Sequence, residues 1–260
     1  MKISILGATG AMGGLVTKAA LQDGVVVENK VSSRDRIESL FKNTDGVVDF
    51  SCPMATDSML RYVRDNQLGI PIVIGTTGLS QAHLDLIEEC SKSAPIFFTS
   101  NMSSLVSMLN IVVYVMAKLL GENHDVEILE IHHRLKKDAP SGTALMLGKT
   151  IAKARNREFM DIANFIRYGI IEQRKSGEIG FSVQRCSNVV GTHEISFMNE
   201  LESIKIRHEA HSKEVFAKGA IRAVKWIIGR SNGIYTMDDL IKETVTSTLK
   251  SIYEEFLCNQ

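Results

Sequence analysis

The chain reads as an α/β protein: a Rossmann-like dinucleotide-binding domain with an inserted α+β domain built on a mixed or antiparallel sheet. Three observations predict this. The first strand runs directly into a Gly-rich turn and a helix; further short apolar strands then alternate with helices to about residue 103; and beyond a long apolar helix the pattern changes to β-like segments before helix returns. The expected division is 1–103 plus 213–260 for the dinucleotide-binding part and 104–212 for the insertion.

Lys2 to Leu6 is the first strand, followed by Gly7-Ala8-Thr9-Gly10-Ala11-Met12-Gly13 and a helix from Gly14 to Gln22. Glycines at this spacing let the backbone turn tightly and approach a pyrophosphate, whose charge meets the amides and dipole of the helix start. A second strand, Val25 to Val31, ends in Ser32-Ser33-Arg34, where a dinucleotide's adenosine ribose is read. Hydroxyls and an arginine donate to a 2′-phosphate, so this ending favours NADPH over NADH, although Glu28 on the same segment would take the ribose if the register slipped.

Asp45 to Phe50 is the third strand, and an amphipathic helix with Met59, Leu60 and Val63 on one face follows it. Ile70 to Ile74 is almost unbroken apolar sequence, as in a strand buried on both faces, and it ends in Gly75-Thr76-Thr77-Gly78. Ile96 to Thr99 ends in Ser100-Asn101-Met102. Ligands of open α/β sheets lie at the carboxyl ends of the strands, which places Gly75, Thr76 and Thr77 near the nicotinamide end of the cofactor.

The helix Leu105 to Leu120 leads to strand Asp125 to His132, and then to the densest polar stretch in the chain, Glu130 to Thr143. A histidine titrates near pH 6.5, so His132 or His133 could transfer a proton, and alternation along a strand gives the two neighbours different roles. Lys136 or Lys137 could hold a carboxylate or protonate a developing nitrogen anion. Ser141-Gly142-Thr143 offers two hydroxyls and a helix N-terminus to a carboxylate. The helix Gly142 to Arg155 is followed by antiparallel-like segments at Gly180 to Arg185, His193 to Met198 and Ser203 to Glu209. Helices Phe216 to Gly229 and Thr236 to Phe256 close the chain, with Gly-Arg-Ser-Asn-Gly as the break between them. The residues point to a nicotinamide-dependent reductase for a small carboxylated substrate.

Composition narrows the alternatives. Thirty Lys and Arg balance thirty Asp and Glu, which gives nucleic acid no basic surplus to bind. Cys52, Cys90, Cys186 and Cys258 are scattered without C-x-x-C or histidine spacing, so neither a metal site nor a disulfide framework is indicated. No charged leader with a long apolar region and no unbroken run of about 18 apolar residues occurs, so the reading is a cytoplasmic protein with no membrane partner.

The motif Glu-x-His-His-x-x-Lys-x-Asp-Ala-Pro-Ser-Gly-Thr-Ala at Glu130 to Ala144 resembles the signature of the 4-hydroxy-tetrahydrodipicolinate (dihydrodipicolinate) reductase family. Val48-Asp49-Phe50-Ser51-Cys52-Pro53, Gly75 to Gly78, Asn101-Met102-Ser103, Val190 to Glu194 and Phe216 to Ala220 fit it in the same order, so the resemblance covers nearly the whole chain. It implies reduction of a cyclic dicarboxylate to tetrahydrodipicolinate, in the diaminopimelate and lysine route, with NADPH or NADH. It assigns His132 as proton donor and acceptor, Lys136 as second proton donor, His133 as substrate ligand, and Gly142 and Thr143 as carboxylate ligands. The residues from Gly7 to Met12, Gly75 to Thr77 and Thr99 to Met102 would line the cofactor. It also implies a homotetramer built through the inserted, substrate-binding domain.

Three segments depart from the pattern. Ser32 and Ser33 replace the acidic residue and arginine of the pattern, Leu105 and Ser107 replace a glycine and an asparagine, and Arg185-Cys186-Ser187 stands for Arg-Gly-Gly. The rival readings are a semialdehyde or homoserine type of dehydrogenase, for which no nucleophilic cysteine motif is present, and a dinucleotide-sensing regulatory protein on the same fold.

Overall fold

The computed structural model describes residues 1–32 and 34–257. Cys258 and Ser33 therefore lie outside the described residues. Two compact units emerge, Met1–Ser104 with Lys213–Gln260, and Leu105–Ser212.

The first unit is a six-stranded parallel sheet in the order β11-β5-β4-β3-β1-β2. Its strands are β1 (Lys2–Leu6), β2 (Val26–Val31), β3 (Gly46–Asp49), β4 (Ile72–Ile74), β5 (Pro95–Phe98) and β11 (Gly233–Tyr235). Helices α1 (Ala11–Gln22), α2 (Pro53–Asp65), α3 (Gln81–Ser91) and α7 (Glu214–Ile227) belong to this unit, as does α8 (Met237–Leu257). From β1 the chain passes to β2 on one side and to β3 on the other, so the turn after β1 sits at the switch point of strand order, where open α/β sheets bind ligands. The core explains the apolar strands: Ile3, Ile5, Val47, Val48, Ile72 and Ile96 are fully buried.

Two elements of this unit are absent from the sequence reading. A 3-10 helix spans Ile37–Phe41, and β11 starts at the last glycine of the Gly-Arg-Ser-Asn-Gly break and runs up to the final helix. β11 is only three residues long and carries no apolar alternation; its pairing with Ile96 and Phe97 of β5, a tertiary event, makes it a strand.

The second unit is a five-stranded mixed sheet in the order β10-β9-β6-β8-β7, comprising β6 (Asp125–His132), β7 (Ala163–Asn164), β8 (Ile179–Arg185), β9 (Gly191–Met198) and β10 (Ser203–Ala210). The antiparallel expectation holds for β9, which pairs that way with β6 and β10, but β8 runs parallel to β6 and to β7. The reason is connectivity: a long crossover through α5 (Gly142–Ala154) and the short α6 (Phe159–Ile162) returns the chain to the starting end of the sheet.

Helix α4 (Ser104–Leu120) and α5 cover one face of this sheet. Val113, Leu147 and Ile151 meet Val126, Ile128, Ile195 and Phe197 there. Burial along β6 alternates, with Val126, Ile128, Glu130 and His132 on the covered face. Helix α4 with the 3-10 turn after it, Ser104–Asn123, is long and apolar enough by length and composition to cross a membrane, with a mean hydropathy of 1.7 and 28% of that window buried. Its polar residues interrupt the run, which is why a search for unbroken apolar sequence passes over it.

Candidate active site

The turn after β1 is shaped by backbone. Gly7 has φ +82°, and a side chain there would also bring Cβ to 2.6 Å from the Phe50 carbonyl oxygen. Gly13 packs so closely on Gly7 and Ala8 that no Cβ fits between α1 and the turn. Thr9, Gly10 and Ala11 are exposed, and α1 starts at Gly10 with no side-chain cap and no acidic residue in its first turn. Uncapped amides at the start of a twelve-residue helix, with no acidic side chain in that first turn, suit a pyrophosphate. The residues present therefore fit a dinucleotide.

The neighbouring loops are held in place by hydroxyls. Asp49 is fully buried at the end of β3; its carboxylate accepts from the Thr56 hydroxyl at 2.5 Å and from the Ser51 hydroxyl and amide at 2.5 and 3.0 Å. The Ser51 amide also donates to Thr76 Oγ1 at 3.0 Å, which ties the loop after β3 to the Gly75-Thr76-Thr77 loop. Burial pushes the Asp49 carboxyl above its ordinary range, against those hydrogen bonds. Gly75 has the Phe50 ring where a Cβ would stand.

In the next loop Thr99 Oγ1 donates to the Asn101 carbonyl at 3.1 Å, Ser100 is exposed, and the buried Met102 has its carbonyl against Gly219 of α7. At the end of β2, Ser32 donates through both its amide and its hydroxyl to Asp35 Oδ2 at 2.7 Å, and the Arg34 amide donates to the Ser32 hydroxyl. Ser33 is not among the described residues. Asp49, Gly219 and Asp35 had no place in the sequence reading of this site. They act through other residues, and only the Asp-Phe-Ser and Lys-Gly-Ala motifs mark two of them.

In the second unit the chemistry gathers at the carboxyl end of β6. Glu130 and His132 are two residues apart and so share the buried face, 0% and 8% exposed. Glu130 Oε2 lies 2.5 Å from His132 Nδ1. Arg185 of β8, the register partner of His132, approaches the same carboxylate with two nitrogens at 2.9 and 2.8 Å. The Ser141 amide donates to Glu130 Oε1 at 3.0 Å.

His193 of β9 stands opposite Glu130 in register, with its Nε2 at 3.0 Å from the Ser141 hydroxyl and its ring edge-on to His132 at 5.2 Å. Burial opposes ionisation of Glu130, but the His132 and Arg185 hydrogen bonds win and hold its pKa at about 2. Burial, helped by the charge of His132, pushes the His193 pKa down to about 3, so that ring is neutral.

Ser141 is the N-cap of α5, its hydroxyl accepting from the Ala144 amide at 3.2 Å. That hydroxyl is thus engaged by Ala144 and His193, while Gly142 is exposed and a Cβ there would meet nothing within 4 Å. Open space at the helix start lies at Gly142 and not at Ser141. Lys136, in the turn after β6, pairs with Asp138 at 2.8 Å, and its amide donates to the carbonyl of the half-buried His133. Ser187 adopts φ 47°, the left-handed conformation that glycine favours, where the family pattern has glycine.

The structure brings His132, Ser141, Gly142 and Thr143 into one neighbourhood through Glu130. Arg185 and His193 join them although the sequence reading gave neither a role. The available signal was a carboxylate and a histidine on the core face of one strand, since such groups are rarely buried unless paired.

Comparison with known proteins agrees over almost the whole chain. Residues 1–102 match the family described as dihydrodipicolinate reductase, N-terminus, and residues 106–241 match dihydrodipicolinate reductase, C-terminus. A 4-hydroxy-tetrahydrodipicolinate reductase from Clostridium novyi is 46% identical over 200 residues, 77% of each chain. Its counterpart from Zymomonas mobilis is 38% identical over 248 residues, covering 93% of this chain and 97% of that one. The dipicolinate-bound dihydrodipicolinate reductase from Paenisporosarcina sp. TG-14 shares the fold, with a TM-score of 0.66 at 20% identity over 93% of this chain and 99% of the other.

Proposed function

The chain belongs to the dihydrodipicolinate reductase family, and from that premise we propose that it reduces 4-hydroxy-tetrahydrodipicolinate to tetrahydrodipicolinate in diaminopimelate and lysine biosynthesis. It is a nicotinamide-dependent oxidoreductase. In the balanced reaction, substrate, reduced dinucleotide and one proton give tetrahydrodipicolinate, oxidised dinucleotide and water. When bound, the dinucleotide supplies the hydride; the chain's own residues supply the proton and hold the dicarboxylate.

The observation that carries this reading is that one buried carboxylate, Glu130, ties a histidine to the amide of a helix N-cap. A proton donor is thereby fixed beside a helix start with room for an anionic group. His132 gives and recovers the proton, and Lys136 acts as the second donor. His133, Ser141, Gly142 and Thr143 receive the substrate carboxylates, Ser141 through the order it imposes on the helix start.

The dinucleotide lies along Gly7, Ala8, Thr9, Gly10, Ala11 and Met12, with Gly75, Thr76, Thr77, Thr99, Ser100, Asn101 and Met102 lining it. NADPH is the preferred form: Ser32, Ser33 and Arg34 end β2 without a carboxylate, and the nearby Asp35 has one oxygen engaged by Ser32. The protein works in the cytoplasm as a homotetramer assembled through the second unit's sheet.

The test is oxidation of NADPH with substrate generated in place by the preceding synthase. Turnover by the wild-type chain is expected, and its absence refutes the reading. His132→Gln and Lys136→Ala should each lower kcat by about 10²-fold or more, the scale of general acid–base groups; normal turnover in either removes that residue from its role. A dinucleotide-sensing protein would bind NADPH and turn nothing over.

A further inference from the structure

The Glu130 carboxylate meets four donors. Oε1 accepts from the Ser141 amide and one Arg185 nitrogen, and Oε2 faces the other Arg185 nitrogen and His132 Nδ1. Two carboxylate oxygens have about four lone-pair sites. All four are taken, and the bidentate guanidinium keeps the group ionised, so Glu130 can only accept. A contact of 2.5 Å from that carboxylate to His132 Nδ1 then requires the proton to sit on the nitrogen. Nε2 becomes the nitrogen that exchanges a proton. The position facing it is Gly191 of β9, where a Cβ would lie 3.0 Å from Nε2; glycine leaves that edge of the ring uncrowded.

We propose that Glu130 is the positioning residue of the reaction: it fixes His132 with Nδ1 protonated, so that Nε2 carries the transferable proton, and through the Ser141 amide it sets that nitrogen against the carboxylate-binding helix start. The proposal rests on the reductase reading, with His132 as acid. In the step itself the imidazolium gives its Nε2 proton to the substrate, becomes a neutral ring whose Nδ1–H still donates to Glu130, and regains from solvent the one proton that the balanced reaction consumes.

Arg185 has the complementary task. An unneutralised buried carboxylate would hold the imidazolium too firmly, and the guanidinium tempers that pull. The other groups around the ring are His193 from β9, edge-on to it, and the Lys136–Asp138 pair from the following turn.

Two experiments separate this proposal from the activity on which it rests. Neutron diffraction from crystals of the resting wild-type protein, grown above pH 8, should place the proton of His132 on Nδ1; a proton on Nε2 overturns the proposal whatever the enzyme does. Glu130→Gln, which removes the charge at nearly constant shape, should lower kcat about 10²-fold or more while leaving the KM for NADPH unchanged. It should also move the limb on which the rate falls with rising pH downward by about one unit. Because Glu130→Gln leaves Arg185 without its partner, the double variant Glu130→Gln, Arg185→Met is made alongside it. That variant should be folded and equally slow. A folded variant with wild-type kcat and an unmoved pH profile refutes the role. Absence of turnover in the wild type counts instead against the reductase reading.

Discussion

At the turn after β1 the groups offered to a charged ligand are backbone amides; at the end of β6 they are side chains drawn from three strands and a helix cap. The first arrangement needs only small residues, because glycine lets the chain approach closely and the helix dipole comes with the helix. Its residues are consecutive. The second must bury a carboxylate and two histidines and partly bury a guanidinium, each costly out of water unless another satisfies it. Its residues are scattered from Glu130 to His193. A backbone site fails locally when altered, whereas a side-chain network fails as a unit.

Arg185→Ala tests the side-chain network most severely. If the network is a unit, the full chain should lose about 3–5 kcal/mol of stability to denaturant, the cost of stranding one partner of a buried ion pair. A loss below about 1 kcal/mol, the range of exposed pairs, would show that the cluster is loosely held.

Acid gives a second, graded effect. His193 is held neutral, its pKa lowered from 6.5 to about 3, so below pH 6.5 the unfolded chain binds the proton that the folded one refuses. Stability is therefore complete above that pH and falls as pH drops toward 3. Glu130, lowered from 4.5 to about 2, has the same sign: its contribution is present above 4.5 and lost as pH falls toward 2. Denaturation midpoints between pH 8 and 4 should fall with acid, and His193→Asn should flatten the upper part of that slope. An unchanged slope would contradict a buried neutral His193.

The smallest effect belongs to the dinucleotide side. Arg34→Ala should raise the KM for NADPH roughly tenfold, the worth of one charge-assisted contact, and leave that for NADH in place. Equal changes with the two cofactors would end the claim that the Ser32 to Arg34 segment chooses between them. Stability should not move in that variant, in contrast with Arg185→Ala.

The amino-acid sequence by itself determined the parts that depend on neighbours along the chain. The strand, Gly-rich turn and helix from Lys2 to Gln22 follow from local spacing, as do the apolar strands at β3 and β4 and the Ser141 cap of α5. So does the family, since its longest motif, Glu130 to Ala144, is continuous. Tertiary structure decided what depends on register. Glu130 was visible as the first residue of that motif, but its work depends on Arg185 arriving beside His132 in a parallel pair and on His193 lying opposite in an antiparallel one.

No spacing rule along the chain encodes those two pairings. The parallel direction of β8 leaves no mark in its own residues for the same reason, and the three residues of β11 become a strand only when β5 is beside them. Hydrophobic period and turn chemistry are properties of a segment, whereas the satisfaction of a buried charge is a property of the whole sheet.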